Sequence, residues 1–183
     1  MARPRRLDDD ELLAQIVSVL EERSELTPWS LADVAPAAGM SPAGLLKRFG
    51  SKTGLLRALT RRWIELIPQG PLPHESEAEQ ELRRYVAREF GAGSAAGAVF
   101  ALSEVLTELE DAELASLLAE GWDRQRRRLS QLLSAMRLPR LRDADAGGTM
   151  LLDALHGSLF RSAVDLGDTS PLTTLDTFLE IWK

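Results

Sequence analysis

An all-helical fold is predicted for this 183-residue chain, and three observations carry the prediction. Apolar residues recur at three- and four-residue spacing, as in Leu13, Ile16, Val17 and Leu20, and again in Leu82, Tyr85, Val86 and Phe90. Alternating apolar and polar residues, the mark of a half-buried strand, are absent throughout. Caps and breakers punctuate the periodic stretches at Ser41-Pro42, Ser51, Gly91-Ala92-Gly93, Pro139 and Ser170-Pro171. About nine helices are expected.

Taken in order, Met1 to Leu7 read as a basic arm whose Arg3, Arg5 and Arg6 could meet phosphates or a minor groove. Asp8, Asp9 and Asp10 favour a helix start through the helix dipole, and the first helix is expected over about 9–23. Ser30 is a good N-cap for a second, short helix, with Leu31, Val34 and Ala35 as its apolar stripe. Pro36 falls inside that helix and should distort its last turn by removing a hydrogen bond. Gly39 suits a left-handed turn. Ser41 then caps a third helix with Pro42 at its first position. Leu45 and Phe49 would pack that helix inward, leaving Ala43, Gly44, Lys47 and Arg48 outward. This is the layout of a helix-turn-helix whose second helix enters a DNA major groove. A fourth helix follows from about Ser51 to Ile67, with Leu55, Leu56, Leu59, Trp63 and Ile67 on one side.

The segment Pro68-Gln69-Gly70-Pro71-Leu72-Pro73 breaks the fourth helix and marks a domain boundary. Two domains are therefore expected: residues 1–52 with helix 52–67 as connector, and residues 68–183. In the second domain the spacing predicts helices over about 75–90, 95–109, 111–138, 150–166 and 172–182.

Net charge is −6, with 44% hydrophobic and 27% charged residues, as expected of a chain with a packed core. Charge is unevenly spread. Residues 1–69 carry 10 Lys/Arg against 9 Asp/Glu, whereas the remainder carries 12 against 19. No acid occurs between Asp33 and Glu65, where Lys47, Arg48, Lys52, Arg57, Arg61 and Arg62 all fall. A basic surface on an acidic body suits a nucleic-acid-binding head joined to a separate second region. The chain has no cysteine, which excludes disulfides and thiolate metal sites. The N-terminus has no apolar stretch of a signal peptide and no run is long enough for a membrane span, so a cytoplasmic, soluble protein with no membrane partner is expected.

At these residues the chain resembles the DNA-binding domain of tetracycline-repressor-like (TetR family) transcription regulators. The resemblance rests on Ser30-Leu31, Asp33-Val34-Ala35, Ala38-Gly39-Met40-Ser41, Leu45, Phe49 and Gly50-Ser51-Lys52, and covers roughly residues 8 to 65. It implies a regulator, commonly a repressor, that binds a pseudopalindromic operator as a homodimer and is released by a small-molecule effector. It implies that Ser30, Ser41, Pro42, Ala43, Gly44, Leu46, Lys47 and Arg48 face bases or backbone, and that Lys52 grips a phosphate beside a helix N-terminus. The chain departs from the family where Gly-Thr-Leu-Tyr is common: Ala43-Gly44-Leu45-Leu46 lacks the Thr and Tyr hydroxyls, and Ala32 stands where a polar residue is usual. Thymine methyl contacts and phosphate grip would have to carry more.

The resemblance further implies a ligand pocket and a dimer interface in the second domain. For the pocket, Trp63, Phe100, Glu104, Trp122, Arg126, Met150, Asp153 and His156 are candidates, being large or polar residues on otherwise apolar helices. For the interface the candidates are Leu151, Leu155, Leu159, Phe160, Ala163 and Val164 with Leu175, Phe178, Leu179 and Trp182. An enzyme is the first competing class. Neither histidine, His74 or His156, has a ligand partner four residues on, since Ala78 and Phe160 occupy those positions. Gly91-Ala92-Gly93 follows no strand and is not a dinucleotide loop. No catalytic residue, metal or cofactor is therefore expected. The second competitor is a ligand-sensing protein of the same fold with weak or lost DNA binding.

Overall fold

The computed structural model describes residues 8–22, 28–91, 103, 105, 106, 109–164 and 170–183. Eight helices and no strand occur among the described residues: α1 (Asp9–Glu21), α2 (Leu31–Val34), α3 (Pro42–Phe49), α4 (Lys52–Leu66), α5 (Glu75–Phe90), α6 (Ala112–Ala135), α7 (Ala144–Val164) and α8 (Pro171–Trp182). The helix expected over 95–109 lies mostly outside the described residues; Ser103, Val105, Leu106 and Leu109 are helical.

Local chemistry accounts for most starts. The carboxylate of Asp8 accepts the Glu11 N–H at 2.8 Å. Ser30 donates its own N–H to Asp33 at 2.7 Å. Ser41 and Ser51 accept from the N–H groups of Gly44 and Gly54 at 3.1 and 2.9 Å. Asp111 accepts from Glu113 and Leu114, and Ser170 from Leu172. Each cap satisfies a donor that the first helical turn leaves without an intrahelical partner. The second helix stops at Val34, ahead of Pro36, and the chain continues as turns in which Gly39 takes φ +59°.

Two boundaries differ from expectation. Helix α6 ends at Ala135 rather than near Leu138, because Arg137 adopts a left-handed φ of 48° that closes the helix before Pro139. Helix α7 begins at Ala144, six residues ahead of the expected Met150, under a cap in which Asp143 accepts from Asp145 and Ala146 at 2.9 and 3.1 Å. Gly147 and Gly148 therefore sit inside a helix. Their missing side chains let α7 lie against α6: a Cβ on Gly148 would stand 2.2 Å from Ser130 Oγ and 2.9 Å from the Ser130 backbone nitrogen.

The described residues build two apolar clusters. One joins α1 to α4 through Leu12, Ile16, Trp29, Val34, Leu45 and Leu55, and takes in Leu114 from the start of α6. The other joins α5 to α8 through Leu82, Tyr85, Leu129, Leu133, Leu151, Leu155, Leu175 and Leu179. Helix α6 packs on α4, α5 and α7, and so touches both. No helix among the described residues is long and apolar enough to cross a membrane.

Candidate nucleic-acid interface and helical body

Helix α3 is held by one fully buried residue, Leu45, with Phe49 half-buried beside it. Pro42, Ala43, Leu46 and Lys47 are exposed, Gly44 is half-exposed, and the flanking Ser30, Ala32 and Ser41 are exposed. The Ser30 hydroxyl donates to Asp33 at 2.9 Å. Lys52 is half-buried, its Nζ 4.2 Å above the ring of the buried Trp29. That cation–π contact holds the ammonium beside the N-terminus of α4, where the helix dipole also favours an anion. Nothing in the sequence pointed to Trp29 as its support. Arg3, Arg5 and Arg6 lie outside the described residues.

The basic stretch is less free than its sequence suggested. Arg48 pairs with Asp9 of α1. Arg62 bonds Asp10 at 2.7 Å. Arg57 makes a two-point contact with Asp111, at 3.3 and 2.7 Å, and a further one with Glu113 at 2.9 Å. Arg61 pairs with Glu113. Of the six cations between Asp33 and Glu65, only Lys47 and Lys52 have no carboxylate partner among the described residues. The Arg57 contact holds the Asp111 carboxyl below the usual carboxylate range, with the Leu114 N–H adding to the effect. The arginines thus tie α4 to α1 and α6.

In the helical body, Trp122 and His156 come together with Phe90: ring centroids lie 5.0 Å apart for Trp122–His156 and 5.6 Å for Phe90–His156. Burial lowers the His156 pKa, against the pull of the Asp153 carboxylate. Trp63 rests on Gly121, one residue from Trp122. Arg126 is occupied by Asp123 at 3.0 Å, with Asp145 at 3.7 Å. Met150 and Asp153 are exposed on α7, Met150 by 55%. Phe100 and Glu104 lie outside the described residues.

Sequence reasoning missed a buried polar group on α5 and α6. Arg128 is 4% exposed, with Glu81 at 3.5 Å, while its Nε and Nη1, Gln125 Oε1, Tyr85 Oη and Ser130 Oγ are buried without a hydrogen-bond partner among the described residues. Burial pushes the Tyr85 hydroxyl pKa upward. Arg128 hid in the run Arg126-Arg127-Arg128, which reads as a solvated face, although its spacing from Gln125 and Leu132 puts it on the inner stripe.

The candidate interface residues divide. Leu151, Leu155, Leu175, Leu179 and Trp182 are buried in the chain's own core. Their apolar stripes on α7 and α8 pack against each other, α5 and α6. Leu159, Ala163 and Phe178 are partly exposed, Phe160 and Val164 are 57% and 76% exposed, and Ile181 is 58% exposed. Between the two helices Ala154, Gly157, Arg161, Thr174, Thr177 and Phe178 line an open groove of about 470 Å³.

No family model and no curated protein matches the sequence. Solved structures do match the fold. A transcriptional regulator from Rhodococcus sp. Rha1 aligns with a TM-score of 0.66 at 16% identity, over 96% of each chain. A Rhodococcus sp. protein assigned to the TetR-family transcriptional regulators aligns with a TM-score of 0.59 at 18% identity, over 96% of this chain and 98% of that one. Salmonella enterica GusR aligns with a TM-score of 0.55 at 16% identity, over 95% and 94%. Nearly end to end, the chain has the all-helical fold of TetR-family transcriptional regulators.

Proposed function

We propose that the chain is a TetR-like transcriptional regulator, a repressor that binds a pseudopalindromic operator as a homodimer and is released by a small molecule. The observation that carries this is the exposed face of α3, flanked by Lys47 and Lys52, in a fold shared with transcriptional regulators. Residues 1–52 form the reader, 52–67 the connector and 68–183 the sensing and dimerising body. The effector would act by population shift, binding better to a spacing of the two heads that does not match the operator. The aromatic group Phe90, Trp122 and His156 is the part of the body best suited to an effector. The outer faces of α7 and α8 around Phe160 and Ile181 are the surface for a second copy. The protein would work in the cytoplasm.

Gel-shift binding to the DNA upstream of its own gene, across a salt series, tests this. Neutralised phosphates release counterions, so log affinity should fall steeply with log salt. Lys47→Ala/Lys52→Ala would remove up to four phosphate contacts per dimer and flatten that slope by about 3 to 4. Absence of selective binding to any genomic fragment at low salt overturns the reading. A second reading is favoured by the pairing of Arg48, Arg57, Arg61 and Arg62 with carboxylates of the protein. It is a ligand sensor of the same fold that no longer binds DNA. Ligand-induced thermal stabilisation without duplex binding would establish it.

A further inference from the structure

Resting on the DNA-binding reading, we infer that the chain selects its half-site through the C5-methyl groups of adjacent thymines, with Leu46 as the principal specificity-determining side chain. At 3.6 residues per turn, Pro42, Leu46, Ala43 and Lys47 fall within one arc of about 140° on α3. All four are exposed, and Leu46 is exposed by 49% while Leu45 on the opposite side is fully buried. Three of the four carry no side-chain hydrogen-bonding group.

Each polar group around this arc already has a partner within the protein. Ser41 Oγ accepts the Gly44 N–H at 3.1 Å, the Ser30 hydroxyl donates to Asp33 at 2.9 Å, and Arg48 is paired with Asp9. No Asn, Gln or Arg stands on the arc, so the two-point contacts that read adenine or guanine are not available from it. Lys47 at the arc's edge is a point charge on a flexible stem, suited to a phosphate or a single guanine acceptor. The thymine methyl is the one apolar feature that a base pair presents in the major groove. An exposed leucine next to a lysine therefore matches a methyl close to a phosphate. An apolar helix face could also receive a protein, but Lys47 on the arc and Lys52 at the start of α4 have no carboxylate partner among the described residues and favour a polyanion.

The test uses the full-length protein. A random duplex library is selected for binding, and each thymine of the selected site is then replaced singly by deoxyuridine, which removes only the methyl. Adjacent thymines in each half-site should each lose about fourfold in affinity, the value of one buried methyl group. Leu46→Ala should bring the thymine-to-uracil ratio at one of those positions close to unity, with the melting temperature of the protein unchanged. A selected duplex whose affinity is indifferent to every deoxyuridine overturns the methyl readout and leaves DNA binding standing. A library from which no duplex is enriched overturns both.

Discussion

The ring of Trp63 in α4 lies directly on the backbone of Gly121 in α6: a Cβ at position 121 would come within 2.0 Å of Trp63 Cζ3. Helix α4 belongs to the first apolar cluster and α6 touches both, so this contact joins the two clusters. Gly121→Ala forces the indole away and should destabilise the fold by about 1–3 kcal/mol, the usual range for overpacking. Adding Trp63→Ala removes the clash, so the double variant should lose less than the sum of the single losses in denaturant unfolding.

Two glycines of α7 should respond in opposite directions. At Gly148 an added methyl meets Ser130 Oγ, the Ser130 nitrogen at 2.9 Å and the Arg126 carbonyl at 3.1 Å, and a neighbouring helix backbone cannot yield. At exposed Gly157 nothing lies within 4 Å. Gly148→Ala should therefore lower the melting temperature. Gly157→Ala should stabilise the monomer fold by up to about 1 kcal/mol, through helix propensity alone.

Stability should fall in two separate acid windows. Burial depresses the His156 pKa below its ordinary 6.5, so as pH drops from there the unfolded chain takes up a proton that the folded ring does not. Stability is thus fully present above pH 6.5 and declines below it; His156→Phe should flatten that part of a melting-temperature profile. The Asp111 carboxyl is held below its ordinary 3.8 by Arg57 and the Leu114 N–H. Its contribution is present above that value and is lost as pH falls further. Asp111→Asn keeps a capping side chain but removes the charge, so it should abolish this second decline at less cost than Asp111→Ala.

The exposed apolar residues of α7 and α8 make the proposed dimer surface testable. Phe160→Glu places a charge at an aromatic residue that is now 57% exposed. It should leave the helical circular dichroism intact and shift sedimentation from dimer to monomer. Unchanged sedimentation would move the interface elsewhere.

The first four helices were largely visible in the sequence because their signals are local. Ser41 and Ser51 each bond a residue three places on, and Gly39 turns the chain with its own φ. The inward stripe of α5, Leu82, Tyr85, Val86 and Phe90, follows from helical spacing and is buried as expected. The body was harder to read. Leu151, Leu155, Leu175 and Trp182 are apolar whether they face the chain's own core or a partner, and spacing alone does not say which stripe a third helix covers. The start of α7 at Ala144 rather than Met150 was not legible, because glycine disfavours a free helix and only packing of Gly148 against Ser130 outweighs that preference at 147–148.

By itself, then, the sequence determined the all-helical class, the capped helix-turn-helix and the apolar face of α3, all set by contacts within about one helical turn. Only the tertiary structure decided which cations stay available to a polyanion. Arg57 and Asp111 are 54 residues apart, and Arg62 and Asp10 are 52 apart. Coulomb attraction acts over a few ångströms, so such pairs exist only once packing has brought α1, α4 and α6 side by side.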